Sequence, residues 1–154
     1  MEPRNPITKE QIQRALRERH SAGVQDKLDH ARVAVAGLGG LGSNVAFALA
    51  RIGVGHLHLI DFDRVDLTNL NRQQYLLRHL GMYKTDALKE ELLQINPYLD
   101  IRTDCIRVTE GNLPELFAED PIVCEAFDSP EAKAMLVNGI LERFPQAFLV
   151  SASG

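Results

Sequence analysis

Residues 31 to 61 constrain this chain more than any other stretch. An apolar run ending at Ala36 leads into Gly37-Leu38-Gly39-Gly40-Leu41-Gly42, a segment of small residues follows, and a second apolar run closes on Asp61. Glycines 37, 39 and 42 satisfy G-x-G-x-x-G, and Asp61 stands 19 residues past the last of them. That is the layout of a nucleotide-binding β-α-β unit. A turn without side chains lets backbone N–H groups close on a phosphate, at the positive end of the helix that follows. A carboxylate at the end of the second strand then meets the two ribose hydroxyls. The motif alone leaves the nucleotide open. A nicotinamide-dependent oxidoreductase would rest on the glycine turn and Asp61 and on nothing else.

The rest of the chain alternates strand and helix signals around this unit. With 154 residues and 45% hydrophobic content, one core is expected. Residues 1–30 read as a helical extension, with a mostly polar helix over 7–19 (apolar stripe Ile7, Ile12, Leu16) and a short helix over Val24 to His30. Residues 31–154 read as the nucleotide-binding domain, expected to be truncated because Ser151-Ala-Ser-Gly154 falls where the next functional loop should begin. A first buried strand carries Val33 and Val35, and a helix from Gly42 to Ile52 should bury Val45, Leu49 and Ile52 before Gly53 ends it. His56 to Ile60 is a second strand, Gly81 to Pro97 a helix with Leu88, Leu92 and Ile95 inward, and Leu99 to Asp104 an edge strand. Thr109 to Phe117 predicts a short helix, Ile122 to Phe127 a buried strand, and Ser129-Pro130 the cap of a helix running to Phe144; Ala147 to Ser151 is a fifth strand. The class is α/β: a Rossmann-like, doubly wound, mostly parallel sheet of order 3-2-1-4-5.

The polar passage Asp61-Phe-Asp-Arg-Val-Asp-Leu-Thr-Asn-Leu-Asn-Arg-Gln-Gln-Tyr75 lies just past a strand's carboxyl end, where open α/β sheets bind ligands. Asn69, Asn71 and Gln73 are neutral donors there, and Arg72 is a cation. Lys84 falls in the first turn of a helix, where a cation opposes the dipole; a phosphate between them removes the conflict. Asp128 ends another strand on the same crevice. Two cations and a separate carboxylate exceed what a dinucleotide's bridging phosphates need. They suit a triphosphate, with Asp128 holding Mg²⁺ and Arg72 and Lys84 taking charge on departing pyrophosphate. There is no G-x-x-x-x-G-K-[ST] motif, and no Ser-His or Cys-His pair to generate a nucleophile. A substrate carboxylate, ionised already at neutral pH, needs no base, and its attack on the α-phosphate gives an acyl adenylate.

Other classes are disfavoured. A net charge of −4 gives neither a nucleic-acid footprint nor attraction to anionic membranes. No apolar run of membrane-spanning length and no signal-peptide core is present, so a cytoplasmic protein is expected. Cys105 and Cys124 lie in apolar runs without C-x-x-C spacing and read as reduced and buried, with no zinc expected. His56 and His58 share one strand face and read as packing rather than a metal pair.

The turn Gly37 to Ser43, Asp61-x-Asp63, Asn69-Leu-Asn-Arg-Gln73, Gly81-x-x-Lys84, Ile95-Asn-Pro97 and Asp128 occur in the order and spacing of the ubiquitin-activating superfamily. Over residues 25 to 154 the chain most resembles the short ThiF-type enzymes of thiamine biosynthesis, with the molybdopterin-synthase activating enzymes close. This resemblance implies ATP contacts from the glycine turn (Gly37, Gly39, Gly40, Leu41, Gly42) and from Asp61, Asp63, Thr68, Asn69, Leu70, Asn71, Arg72 and Gln73. It implies Lys84 on the phosphates and Asp128 on Mg²⁺. It implies as substrate the carboxyl-terminal Gly-Gly of a small ubiquitin-like sulfur carrier protein, and a homodimer in which an amino-terminal arginine reaches the partner's ATP. Arg14-Ala-Leu-Arg17 has the spacing of the family's R-x-x-R element, with Arg17 the first candidate and Arg14 the second. The cysteine-bearing crossover loop and paired C-x-x-C zinc motif of many relatives are not in this sequence, which fits either a truncated piece or a short branch.

Overall fold

The computed structural model of the chain describes residues 5–21 and 23–152. In chain order its elements are α1 (Lys9–Arg17), α2 (Val24–His30), β1 (Arg32–Ala36), α3 (Gly40–Ile52), β2 (His56–Ile60), α4 (Lys84–Ile95), β3 (Asp100–Asp104), α5 (Leu113–Leu116), β4 (Ile122–Glu125), α6 (Pro130–Arg143) and β5 (Phe148–Ser151). Single 3₁₀ turns at Leu67–Asn69 and Leu77–His79 punctuate the long β2–α4 connection. All strands are parallel, in the order β3-β2-β1-β4-β5. The expected topology is the observed one.

β1 is central because it can be: Val33, Ala34, Val35 and Ala36 are all buried, as a strand covered on both faces requires. Val33 and Val35 join Leu57 and Leu59 of β2 and Leu88 and Leu92 of α4 in one core, on the face that α3 and α4 cover. Ala34 and Ala36 join Val123, Leu136 and Ile140 in the other, under α5 and α6. The chain leaves β1 toward one face and β4 toward the other. The crevice between these departures opens at the carboxyl ends of the strands.

Local chemistry sets the boundaries. Thr8 and Gln11 form a reciprocal capping box, so α1 starts at Lys9 rather than at Ile7. Asn96-Pro97 stops α4, and Ser129 caps α6 by accepting from the Ala132 N–H, with Pro130 at the first position. α5 is a single turn, because Pro114 denies the helix expected from Thr109 its second turn.

Three expectations are corrected. α3 does not bury Val45, Leu49 and Ile52. Its sheet face is Gly42, Ser43, Ala46 and Ala50, while Val45 and Leu49 flank the core and Ile52 is 45% exposed. The helix lies so close to the sheet that only small side chains fit beneath it, and the large ones are displaced to its sides. Cys105 is exposed, since β3 ends one residue earlier and the chain leaves the sheet there; Cys124 is half-buried, and burial pushes its thiol pKa up. His58 is more than packing: it is buried with Nδ1 2.6 Å from Asp120 and Nε2 2.7 Å from Asp104, tying β2, β3 and the loop before β4. His56 pairs with Asp100 at 2.8 Å.

The two edge strands differ. β3 carries Asp100, Arg102 and Asp104, whereas β5 exposes Phe148 and Val150. Among the described residues no helix is long and apolar enough to cross a membrane.

Leu136, fully buried between α6 and the sheet, reports the core's contribution. Leu136→Ala should lower unfolding free energy by about 2–5 kcal/mol, read from urea titration midpoints.

Candidate functional site

The site is built on a backbone approach too close for side chains. Gly37 has φ +93°, and a Cβ there would stand 2.7 Å from the Ala126 carbonyl oxygen. A Cβ on Gly42 would stand 1.6 Å from the Gly37 carbonyl oxygen. The turn is thereby pressed between α3 and the β4–α6 loop. Its N-cap, Gly39, has no side chain to satisfy the first N–H groups of α3, so these donors and the positive end of a 13-residue helix face the crevice. Gly40 is half-buried and Leu41 is exposed on this first turn.

The turn is held from outside. Asp61, 9% exposed, accepts from the Leu38 N–H and the Asp63 N–H, both at 2.8 Å. Buried Tyr75 donates its hydroxyl to the Leu38 carbonyl at 2.7 Å. Burial, with the Asp61 charge nearby, pushes the Tyr75 pKa far up, so it stays a donor. One residue, Leu38, is thus gripped at both its N–H and its C=O. Ser43 donates to the Gly39 carbonyl at 2.6 Å and accepts from the Gln74 N–H, fastening the polar passage to α3. Tyr75, Ser43 and Gln74 escaped the sequence reading.

The passage itself divides into residues that build turns and residues that face the crevice. Asp66 accepts from the Thr68 N–H and hydroxyl, and the Asn69 side chain returns to the Asp66 N–H, an N-cap arrangement at the 3₁₀ turn. Leu70 packs against the core. Asn71 accepts from the Arg72 guanidinium, which also donates to the Thr68 carbonyl at 3.1 Å. The Arg72 stem lies over Gly40, 3.5 Å from where a Cβ would be, bringing an exposed guanidinium to the start of α3. Gln73 is 8% exposed beside Gly39, and its Oε1 has no hydrogen-bond partner among the described residues.

Lys84 is the first residue of α4 and is buried, with its N–H on the Asp63 carbonyl and its Nζ 3.9 Å from the Asp63 carboxylate. A buried cation with one distant counter-charge is far from the common exposed lysine at a helix start. Across the crevice, β4 ends at Glu125 rather than at Phe127, and Asp128 lies in the following loop. Ser129, not Asp128, is the cap of α6. The Asp128 carboxylate is exposed and makes no hydrogen bond or ion pair among the described residues.

Arg17 lies elsewhere in the chain. α1 sits at the amino-terminal end of the strands, with Leu16 against Gly53, and Arg17 pairs with Asp26 at 3.1 Å and Asp29 at 3.9 Å. Arg14 is exposed on the same helix and forms no ion pair among the described residues. One further trio could gather three ligand atoms, His79, Glu90 and Glu91, but the Arg78 guanidinium already bonds both glutamates and approaches the imidazole.

A parallel sheet of this order, with a glycine turn opening on cations and a free carboxylate at its switch point, defines a Rossmann-like nucleotide-binding protein. The chain belongs to the ThiF family, whose profile matches residues 9–148. The molybdopterin-synthase adenylyltransferase of Haemophilus influenzae is 39% identical to it over 113 residues, 73% of this chain and 46% of that protein. The tRNA threonylcarbamoyladenosine dehydratase of Escherichia coli is 39% identical over 109 residues, 70% of this chain and 41% of that one. The crystal structure of that dehydratase, TcdA, in complex with ATP superposes with a TM-score of 0.88 at 32% identity, covering 97% of this chain and 63% of the other. The sequence matches thus span less than half the length of these two relatives.

Two substitutions test the turn. Gly42→Ala should abolish nucleotide binding in calorimetric titration, because its Cβ must displace α3 or the turn. Tyr75→Phe should cost about 1–3 kcal/mol in denaturant unfolding by leaving the buried Leu38 carbonyl unpaired, and should weaken nucleotide binding at the same time.

Proposed function

We propose that this chain carries the ATP-binding half of an enzyme that activates a carboxylate as an acyl adenylate. The observation that carries this reading is that charge-handling groups are tied to one turn: the open start of α3 with Arg72 over Gly40, buried Lys84 beside the Asp63 that bonds the turn-holding Asp61, and, two residues past the Ala126 carbonyl that bears on Gly37, an Asp128 carboxylate without a partner among the described residues. In the step, a carboxylate oxygen of the substrate forms a bond to the α-phosphorus, the bond from that phosphorus to the bridging oxygen breaks, and pyrophosphate leaves with the electron pair. No proton moves, which agrees with a site that holds no Ser-His or Cys-His pair. Arg72 and Lys84 offset charge that grows on the leaving group. Asp128 suits Mg²⁺, a hard cation that takes one or two carboxylates beside phosphate oxygens, and the metal when bound neutralises phosphate charge. Asp61 acts chiefly by fixing the turn, and the more exposed Asp63 carboxylate lies 3.9 Å from the Lys84 ammonium.

For the substrate we favour the carboxyl-terminal Gly-Gly of a ubiquitin-like sulfur carrier protein, the class to which the molybdopterin-synthase relative's name points. A thiamine-pathway carrier is one member of that class, and the relatives described above are named for molybdopterin synthase and tRNA instead. The TcdA likeness over 97% of the chain favours a second reading, in which the activated carboxylate belongs to a modified tRNA base. The net charge of −4 weighs against it. In a homodimer, Arg14 is the freer of the two arginines to reach a partner's nucleotide, since Arg17 is engaged by Asp26 and Asp29.

The test is exchange of labelled pyrophosphate into ATP. Exchange that depends on a Gly-Gly-ended carrier supports the proposal, exchange that depends on threonylcarbamoylated tRNA transfers it to the second reading, and no exchange with either refutes adenylylation. Asp128→Ala should keep the fold by circular dichroism and lower exchange by about a hundredfold or more.

A further inference from the structure

Glu125 breaks the pattern of its strand. By alternation it shares the α6-facing side of β4 with Val123, a position in a central strand where packing alone would select an apolar residue. Instead a carboxylate is 1% exposed there, and burying a charge costs free energy unless it is paired and fully hydrogen-bonded. Its partners come from three separate segments. Oε1 accepts from the Phe127 N–H at 2.7 Å, in the β4–α6 loop. Both oxygens accept from the Lys133 ammonium of α6, at 3.1 and 3.2 Å. Oε2 accepts from the Ser151 hydroxyl at the end of β5, at 2.5 Å.

The loop so held is the one that matters to the site. Its Ala126 N–H donates to the Ala36 carbonyl at the end of β1, and its Ala126 carbonyl bears on Gly37 at the distance that excludes a Cβ. The next residues present Asp128, whose own carboxylate nothing in the described chain fixes. Position must come from the backbone, and the backbone on the approach to Asp128 is fixed by Glu125.

We infer that Glu125 is a positioning residue: clamped by Lys133 and Ser151, its carboxylate sets the β4–α6 loop so that Asp128 meets a Mg²⁺ ion over the glycine turn. This rests on the adenylylation reading above, and it assigns to buried Glu125, with half-buried Lys133 and exposed Ser151, the tuning of metal affinity. It also couples the backbone leaving β5 to the metal loop, because Ser151 shares the carboxylate that holds Phe127.

The test measures ATP binding by calorimetry across a Mg²⁺ series, beside thermal unfolding. Ser151→Ala, a mild change at the rim of the cluster, and Lys133→Met, which strips the buried Glu125 carboxylate of its counter-charge, should both raise the Mg²⁺ needed for half-maximal ATP binding by about tenfold or more and leave ATP binding without metal unchanged. Glu125→Gln, which keeps an acceptor for the Phe127 N–H, should fall between wild type and Glu125→Ala. In an Asp128→Ala background the same changes should have no further effect on metal dependence. Lowered melting temperature with unchanged Mg²⁺ dependence in the Ser151→Ala and Lys133→Met variants would overturn the inference while leaving the adenylylation reading intact. Absence of Mg²⁺-dependent ATP binding in the wild-type chain would overturn both.

Discussion

Everything in this molecule depends on two backbones lying where a methyl group cannot stand. Gly42 approaches the Gly37 carbonyl and Gly37 approaches the Ala126 carbonyl, so β1, α3 and the loop after β4 meet at one point. That contact fixes the height of α3 above the sheet. From it follow the small residues on the buried face of α3, the displacement of Val45, Leu49 and Ile52, and the direction in which the first N–H groups of the helix aim. A nucleotide site of this kind is a by-product of close packing. The donors are free because the N-cap, Gly39, has no side chain to take them.

The turn does not hold itself. Asp61 and Tyr75 grip the two peptide groups on either side of the Leu38 Cα, and Ser43 ties the turn to the segment that carries Arg72 and Gln73. These bonds are buried or half-buried, where competing water is scarce and a missing partner is costly. The backbone of the turn is thereby ordered by these hydrogen bonds.

The alternation of apolar runs and helical periodicity made the sheet order legible, because a parallel strand buried on both faces has a composition of its own. The glycine turn, Arg72, Lys84 and Asp128 were legible too, since each sits at a strand's carboxyl end or a helix start, and the structure gathers them on one crevice. What periodicity could not show was which face of α3 is buried, because spacing finds large apolar residues and this interface selects small ones. The passage after Asp61 also builds itself: Asp66, Thr68 and Asn69 engage their side chains in a 3₁₀ turn, which spacing did not announce. Glu125 was missed, and the aspartate partners of His58, read as packing, were missed with it. A charge inside an apolar strand gives no periodic signal, and its partners, Lys133, Ser151, Asp104 and Asp120, are distant in sequence.

The contrast between the outer strands gives the sheet a direction. On β3, alternating charges and the histidine–aspartate pairs keep the unpaired edge wet, which discourages any further strand from joining there. On β5 the exposed Phe148 and Val150 provide no such guard. Growth of this sheet, whether by a domain, a neighbour or an aggregate, is barred on one flank and permitted on the other.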